Sequence, residues 1–400
     1  TEHTVRHSRI LGGLMKRISV VMIILLFICV CTVSAEESGG LLEETVRAQL
    51  EELDLGHLLS FSEYVEREYQ EFIPTLDYRK LLEGGLKKAP GELLQVLAHS
   101  FLKELYLSIH FLRQLIVVGI LTALLQRLAQ AFGSKTVLNL AFGVCLLVLV
   151  LVALQSFQAV MALAADTVDN MVSFMQSLLP LLSTLLLTVG AISSSTVFHP
   201  LLWGLVGTIA SLVHYLLLPL IMFGTAFGLV SHFAEDLPFS RFSGLLKQAV
   251  VTLLGALFIV FSGFMVVKGA IAPVADGVSL RAAKYMTKTF IPVAGGMFAD
   301  AMEVVVGGSL LIKNGVGVFG LAVVAFLVAT PLLKIWAMLL IYKLVGVLLE
   351  PICDQRVVQT LSTVESSLSL VFACLGTVAL MFLLCISILV GIGNLAVVMR

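Results

Sequence analysis

Apolar residues dominate the chain after position 104, where long hydrophobic runs follow one another with few charges between them. A run of about twenty apolar residues is the length that a helix needs to cross the hydrocarbon core of a bilayer. Seven such runs occupy residues 105–125, 137–160, 175–197, 201–230, 249–271, 316–333 and 368–398, and two weaker ones occupy 293–312 and 335–349. We therefore predict an all-α, polytopic membrane protein whose multi-pass domain, residues 105–400, crosses the bilayer seven to nine times.

A different pattern occupies residues 36–104, where apolar positions recur every three or four residues between acidic ones. Leu42, Val46, Leu50 and Leu53 form such a series, and this spacing is typical of an amphipathic helix. More than half of the chain's 26 acidic residues lie in this stretch. We predict a small, acidic, helical domain that lies in water.

Residues 15–35 carry the parts of a secretory signal peptide. Lys16 and Arg17 precede a short apolar run, and Ala35 completes a small-x-small pattern. Cleavage after Ala35 would leave the acidic domain on the extracytoplasmic side, and an uncleaved signal anchor is the alternative. Residues 1–14 precede this element, and we expect them to be non-native or to come from a mis-called start.

Composition and motifs narrow the class of function. Only 13% of the residues are charged and 59% are apolar, whereas a soluble domain carries about 25% charged residues. The six cysteines show no C-x-x-C or His/Cys ligand spacing, so we expect no metal or other cofactor. Nucleotide-binding G-x-x-x-x-G-K-[ST], H-E-x-x-H and G-x-S-x-G motifs are missing, as are basic patches of the nucleic-acid-binding type. Ser193–Ser195 lie near His199, but no acid is placed to orient the histidine. From the missing motifs we predict no enzyme activity, and from the missing basic patches we predict no nucleic-acid partner.

Charges in the predicted connections indicate an orientation. Basic residues mark the links expected inside the cell: Arg127, Lys135, Arg281, Lys284 and Lys288, with Arg400 at the end of the sequence. Asp166 and Asp169, with no base beside them, mark a link expected outside. This distribution agrees with the positive-inside rule.

A few charged residues interrupt the apolar runs. Asp300 and Glu303 lie three apart, so a helix would place both on one face, where they could form an intramembrane ion or proton site. The alternative is that this segment is an interfacial or re-entrant hairpin. Arg113, inside the first run, could cap a short tilted crossing or face a protein partner. Lysines near span ends are expected to snorkel to the headgroups: Lys313, Lys334 and Lys343.

Two stretches carry a resemblance to a known family. Phe290–Asp300, read as FIPVAGGMFAD, and Gly308–Gly315, read as GSLLIKNG, resemble the signature region of stage III sporulation protein AE. The layout is also similar, with a signal peptide, an acidic helical ectodomain and many crossings, and the resemblance covers residues 36 to 400.

The resemblance implies a protein of an endospore-forming Gram-positive bacterium, made in the mother cell and located in the membrane around the engulfed forespore. Members of the family belong to a channel complex that resembles specialised secretion machinery and supports late forespore development. The implied partners are a secretion-type ATPase and ring-forming membrane proteins of the same operon, with a forespore-made protein across the intermembrane space. The resemblance transfers no catalytic residue.

Three hypotheses follow for the function. The first is a structural or conduit subunit of a trans-envelope channel, and the second is a secondary transporter that uses Asp300 and Glu303 as its ion or proton site. The third, an intramembrane enzyme, has the least support because the motifs are missing. A gene for a secretion-type ATPase beside this one would favour the channel subunit.

Overall fold

The computed structural model describes residue 99 and residues 101–132, 135–232, 239–290 and 295–398. Across these ranges the chain is almost entirely helical and contains no strand, which confirms the predicted all-α class. The signal peptide, cleavage after Ala35 and almost all of the predicted acidic domain lie outside the described residues.

Seven α-helices and one π-helical turn make up the described bundle. The helices are α1 (Ile109–Phe132), α2 (Lys135–Thr188), α3 (Ile192–Leu212), α4 (Leu218–Val230), α5 (Phe239–Phe290), α6 (Gly295–Leu349) and α7 (Gln355–Val398). The π-helical turn Val213–Leu217 joins α3 to α4 without a break, and a helical stretch at residues 101–107 precedes α1.

Six helical segments in the described ranges are long and apolar enough to cross a membrane, slightly fewer than the seven to nine predicted crossings. The difference arises because predicted crossings merge. The link predicted at Asp166 and Asp169 is wrong, since α2 continues through both residues. Residues 295–349 are likewise one helix, α6, although the sequence predicts three crossings there. Charged residues lower the hydropathy of a run, but they do not by themselves break a helix.

The merged helices are longer than a bilayer is thick. α2 has 54 residues and α6 has 55, so each extends about 80 Å at 1.5 Å per residue. The hydrocarbon core is about 30 Å thick, and usual tilts reach about 40°. Each helix therefore extends beyond a single hydrocarbon core.

The core of the bundle forms around α7, which contacts α2, α4, α5 and α6. α6 packs antiparallel to both α2 and α7, and glycines bring these helices close together. A Cβ at Gly320 would lie 2.7 Å from Leu178 Cδ2 on α2, and one at Gly317 would overlap Val390 on α7. Leu, Val and Phe side chains fill the space between the helices, among them Phe174 and Phe382, which are fully buried.

α3, the π-helical turn and α4 form one long arm that packs antiparallel to α5. Asp276 contacts Ser194 at the start of the arm, and the Ser243 hydroxyl donates to the Gly224 carbonyl at 2.6 Å near its end. These contacts fix one register over about 50 Å of helix, at 1.5 Å per residue. The α3–α4 arm and α5 therefore stay aligned over a length well beyond the thickness of one hydrocarbon core.

Candidate functional site

The predicted acidic pair lies at the start of α6. Asp300 and Glu303 are three residues apart on one uninterrupted helix from Gly295 onward. The hairpin alternative is therefore wrong for residues 295–312, because this segment contains no turn. The role of the two acids as an ion site stays a prediction.

Arg113 lies on the exposed surface of α1. Its Nη2 atom is 3.4 Å from Nδ1 of His110, and Gln114 Nε2 lies 3.0 Å from Nε2 of the same histidine. The three side chains form a polar group about one turn long near the start of α1. Its role as a cap or as a partner contact stays a prediction.

Lys313 occupies a different environment from the one predicted for it. Its side chain is fully buried between α6 and α7, so the expectation that it snorkels to the headgroups is wrong. The ammonium donates to the Val390 carbonyl at 2.7 Å and to Asn394 Oδ1 at 3.3 Å. Lys334 and Lys343, on the same helix, are exposed.

The close approach of two helices explains why Lys313 is enclosed. Gly317, one turn further along α6, lets Val390 of α7 pack directly on the α6 backbone, which brings the Val390 carbonyl within reach of the lysine. Next to Lys313, the buried Oδ1 atom of Asn314 has no hydrogen-bond partner in the described structure. Buried ionisable groups inside a membrane are rare and usually pair with one another or with backbone carbonyls. Lys313 follows the second pattern.

Asp276 is a buried acid that the sequence reasoning did not single out. Its carboxylate oxygens each lie 3.3 Å from the backbone nitrogen of Ser194, and one of them also accepts a hydrogen bond from the Ser194 hydroxyl. Ser194 is in the first turn of α3, where backbone N–H groups have no partner in their own helix. Asp276 therefore caps α3 from α5, and its negative charge lies at the favourable end of the α3 dipole.

The side chains of Ser194 and Ser195 bind partners other than His199. His199 Nδ1 lies 3.1 Å from the Ser183 hydroxyl on α2, and the Ser195 hydroxyl donates to the Ser183 carbonyl at 2.8 Å. The Ser194 hydroxyl, by contrast, donates to the Asp276 carboxylate. The two contacts to Ser183 hold α2 and α3 together at the turn that joins them.

A second polar contact links α2 to the π-helical turn. Nδ1 of His214 lies 3.9 Å from Oδ1 of Asp169, and both side chains are substantially exposed. The turn has a local cause, because Pro219 has no N–H to offer the carbonyl one helical turn before it. The wider turn is closed by the Leu218 N–H, which donates to the Val213 carbonyl five residues back. Such π-helical turns occur frequently at functional sites.

A third polar group joins α5 and α7 to the end of α4. Lys247 donates to the Thr363 carbonyl at 3.1 Å and to the Ser366 hydroxyl at 2.6 Å, while His232 Nε2 lies 3.0 Å from the Thr363 hydroxyl. Burial, and then the positive charge of Lys247, lower the pKa of His232 below its usual value. The described residues hold no cluster of His, Cys, Asp and Glu that could bind a metal ion.

Comparison with known proteins gives the family. The model of the stage III sporulation protein AE family matches residues 75–393, a range that contains nearly the whole described bundle. Stage III sporulation protein AE of Bacillus subtilis (strain 168) is 33% identical over 367 residues, which cover 91% of this chain and 91% of that protein. No solved structure matches the chain. The length of both matches and the helical membrane bundle lead to one conclusion: the chain belongs to the stage III sporulation protein AE family.

Proposed function

We propose that this chain is a multi-pass membrane subunit of the channel complex that links the mother cell and the forespore, and that it acts as a structural or conduit component. The family match carries this proposal, since it makes the chain a sporulation protein and spans nearly all of the described helices.

The buried polar contacts support a scaffold or conduit better than an active site. Lys313 joins α6 to α7, Asp276 joins α5 to α3, and the Ser156 hydroxyl on α2 is hydrogen-bonded to the Tyr342 hydroxyl on α6. Each contact uses its polar atoms to hold two helices together. A catalytic group would instead need polar atoms directed at a substrate.

The proposal includes a location and partners. The bundle lies in the mother-cell-derived membrane around the forespore, and the acidic domain of residues 36–104 lies on its extracytoplasmic side. The partners are the secretion-type ATPase and the ring-forming membrane proteins of the same operon, with a forespore-side protein across the intermembrane space.

Affinity purification from sporulating cells tests this function. A tagged copy of the chain should replace the resident family member, restore heat-resistant spores and retain the other operon products after gentle detergent extraction. A subunit role is excluded if the tagged chain restores spores in cells that lack those other products.

A second candidate is a secondary transporter that uses Asp300 and Glu303. In its favour, α6 carries these two acids and the buried Lys313 within fourteen residues of one continuous helix. Ionisable groups inside a membrane often mark the path of an ion. The double substitution D300N/E303Q separates the candidates. A channel subunit should still support spore formation and complex assembly, whereas a transporter that needs these acids should lose spore formation with assembly intact.

A further inference from the structure

Two exposed acids lie in the middle of an apolar helix. Asp166 and Asp169 belong to the candidate membrane span Ala141–Thr188 on α2, and both side chains are exposed and face away from the bundle core. Unlike a lysine, an aspartate has no long apolar stem with which to reach the headgroups. A lipid environment for this surface would therefore be strongly unfavourable.

The neighbouring helix presents matching polar residues. His214 meets Asp169 at 3.9 Å, and the contacts Asp169–His214 and Ser183–His199 set one antiparallel register between α2 and the α3 arm. That register places Ser173 of α2 level with Ser211 of α3, and both are exposed. We call these five residues the α2–α3 polar face: Asp166, Asp169, Ser173, Ser211 and His214.

A different face of the bundle is apolar at the same level. The contacts that align the α3 arm with α5 place Ile259 and Val260 about one and a half helical turns from the level of His214. These two side chains are 70% and 71% exposed. If this level were the boundary between lipid and headgroups, exposed residues would be polar all around the bundle. Lys334, the exposed charge of α6 near this level, has the long stem that permits snorkelling.

We propose that the α2–α3 polar face lines a water-filled path in the assembled complex, and that α5 faces lipid at the same depth. The path would attract hydrated cations and basic groups of a translocated molecule, because it presents two carboxylates within one helical turn. This inference rests on the proposed channel function and adds to it the face of the chain that borders the path.

Cysteine accessibility in the full complex tests the inference. Single substitutions S173C and S211C report on the polar face without removing its charges, and V260C is the matched control on α5. Membranes from sporulating cells are treated with a cationic and with an anionic impermeant methanethiosulfonate, and peptide mass spectrometry measures modification at each position. The native Cys374, which is buried, serves as the protected reference.

We expect both polar-face cysteines to react while the cysteine of V260C and Cys374 stay protected. The cationic reagent should react about tenfold faster than the anionic one, because a path lined by acidic side chains concentrates cations. Adding D166N/D169N to S173C should remove that preference. The inference is overturned if S173C and S211C are unreactive, as they would be under lipid, another subunit or residues 36–98. It is also overturned if V260C reacts equally fast, or if the preference survives the double substitution.

The same strains separate this inference from the proposed function. Co-purification with the other operon products, together with protected S173C and S211C, would retain the subunit role and reject the lining face. A chain that purifies alone and still restores spores without those products would reject the subunit role, whatever the reactivity of the cysteines.

Discussion

The ammonium of Lys313 on α6 lies 2.7 Å from the carbonyl oxygen of Val390 on α7, in a helix pair that buries the lysine side chain completely. Its acceptors in the described structure are neutral, so the desolvated charge is stabilised by dipoles alone. Such an arrangement fixes the register of two helices at a considerable desolvation cost.

The first prediction concerns this charge. Because apolar residues of similar volume often replace buried charges without loss, K313M should leave the melting temperature in detergent unchanged or raise it. N394L removes an acceptor but keeps the ammonium, so it should destabilise the bundle by about 1–3 kcal/mol. K343M, at an exposed position of the same helix, is the control. If K313M costs as much stability as N394L, the lysine contributes net stability and this prediction is wrong.

The second prediction concerns the close approach of α6 and α7. A methyl group at Gly317 would overlap Val390, so G317A should destabilise the bundle by about 1–3 kcal/mol through overpacking. Gly346 on the same helix has open space where its Cβ would lie, so G346A should be neutral or stabilising by up to about 1 kcal/mol. Thermal unfolding of the two variants in one detergent measures the difference. Equal stabilities would contradict the packing of Val390 on Gly317.

The third prediction concerns the cap on α3. D276A removes the acceptor for the Ser194 N–H and hydroxyl, and the buried donors left without a partner should cost about 1–3 kcal/mol. D276N keeps one acceptor oxygen and should cost less. Hydrogen exchange should accelerate at residues 192–196 in D276A, because the first turn of α3 loses its cap. D169A, which removes an exposed acid, should leave exchange at these residues unchanged.

The fourth prediction concerns pH. The folded-state pKa of His232 lies below its unfolded value of 6.5, so the unfolded chain binds a proton first as the pH falls. The stability associated with His232 is fully present above pH 6.5 and is lost as the pH decreases through the folded-state pKa. Melting temperatures at pH 7.5 and pH 5 should differ less in H232Q than in the parent chain. An identical pH dependence in both would exclude His232 as a source.

The sequence predicts the apolar helices well and their ends less well. A run of apolar residues identifies a membrane helix, because lipid requires apolar surface along about twenty residues. The drop in hydropathy at Asp166 and Asp169 resembles a link between two crossings, yet both residues are part of one helix. The environment of Lys313 depends on which face of α6 meets α7, and Asp276 finds its partner 82 residues earlier in the chain. Contacts of that kind come from tertiary packing, and neither spacing nor composition encodes them locally.

The central position of α7 has a consequence for biosynthesis. α7 contacts four other helices, yet it follows all of them in chain order. A nascent chain that has inserted α1 to α6 therefore still lacks the helix around which four of them pack. The surfaces that face α7 then need lipid or an insertion factor to cover them. Docking of α7 therefore completes the packing of α2, α4, α5 and α6.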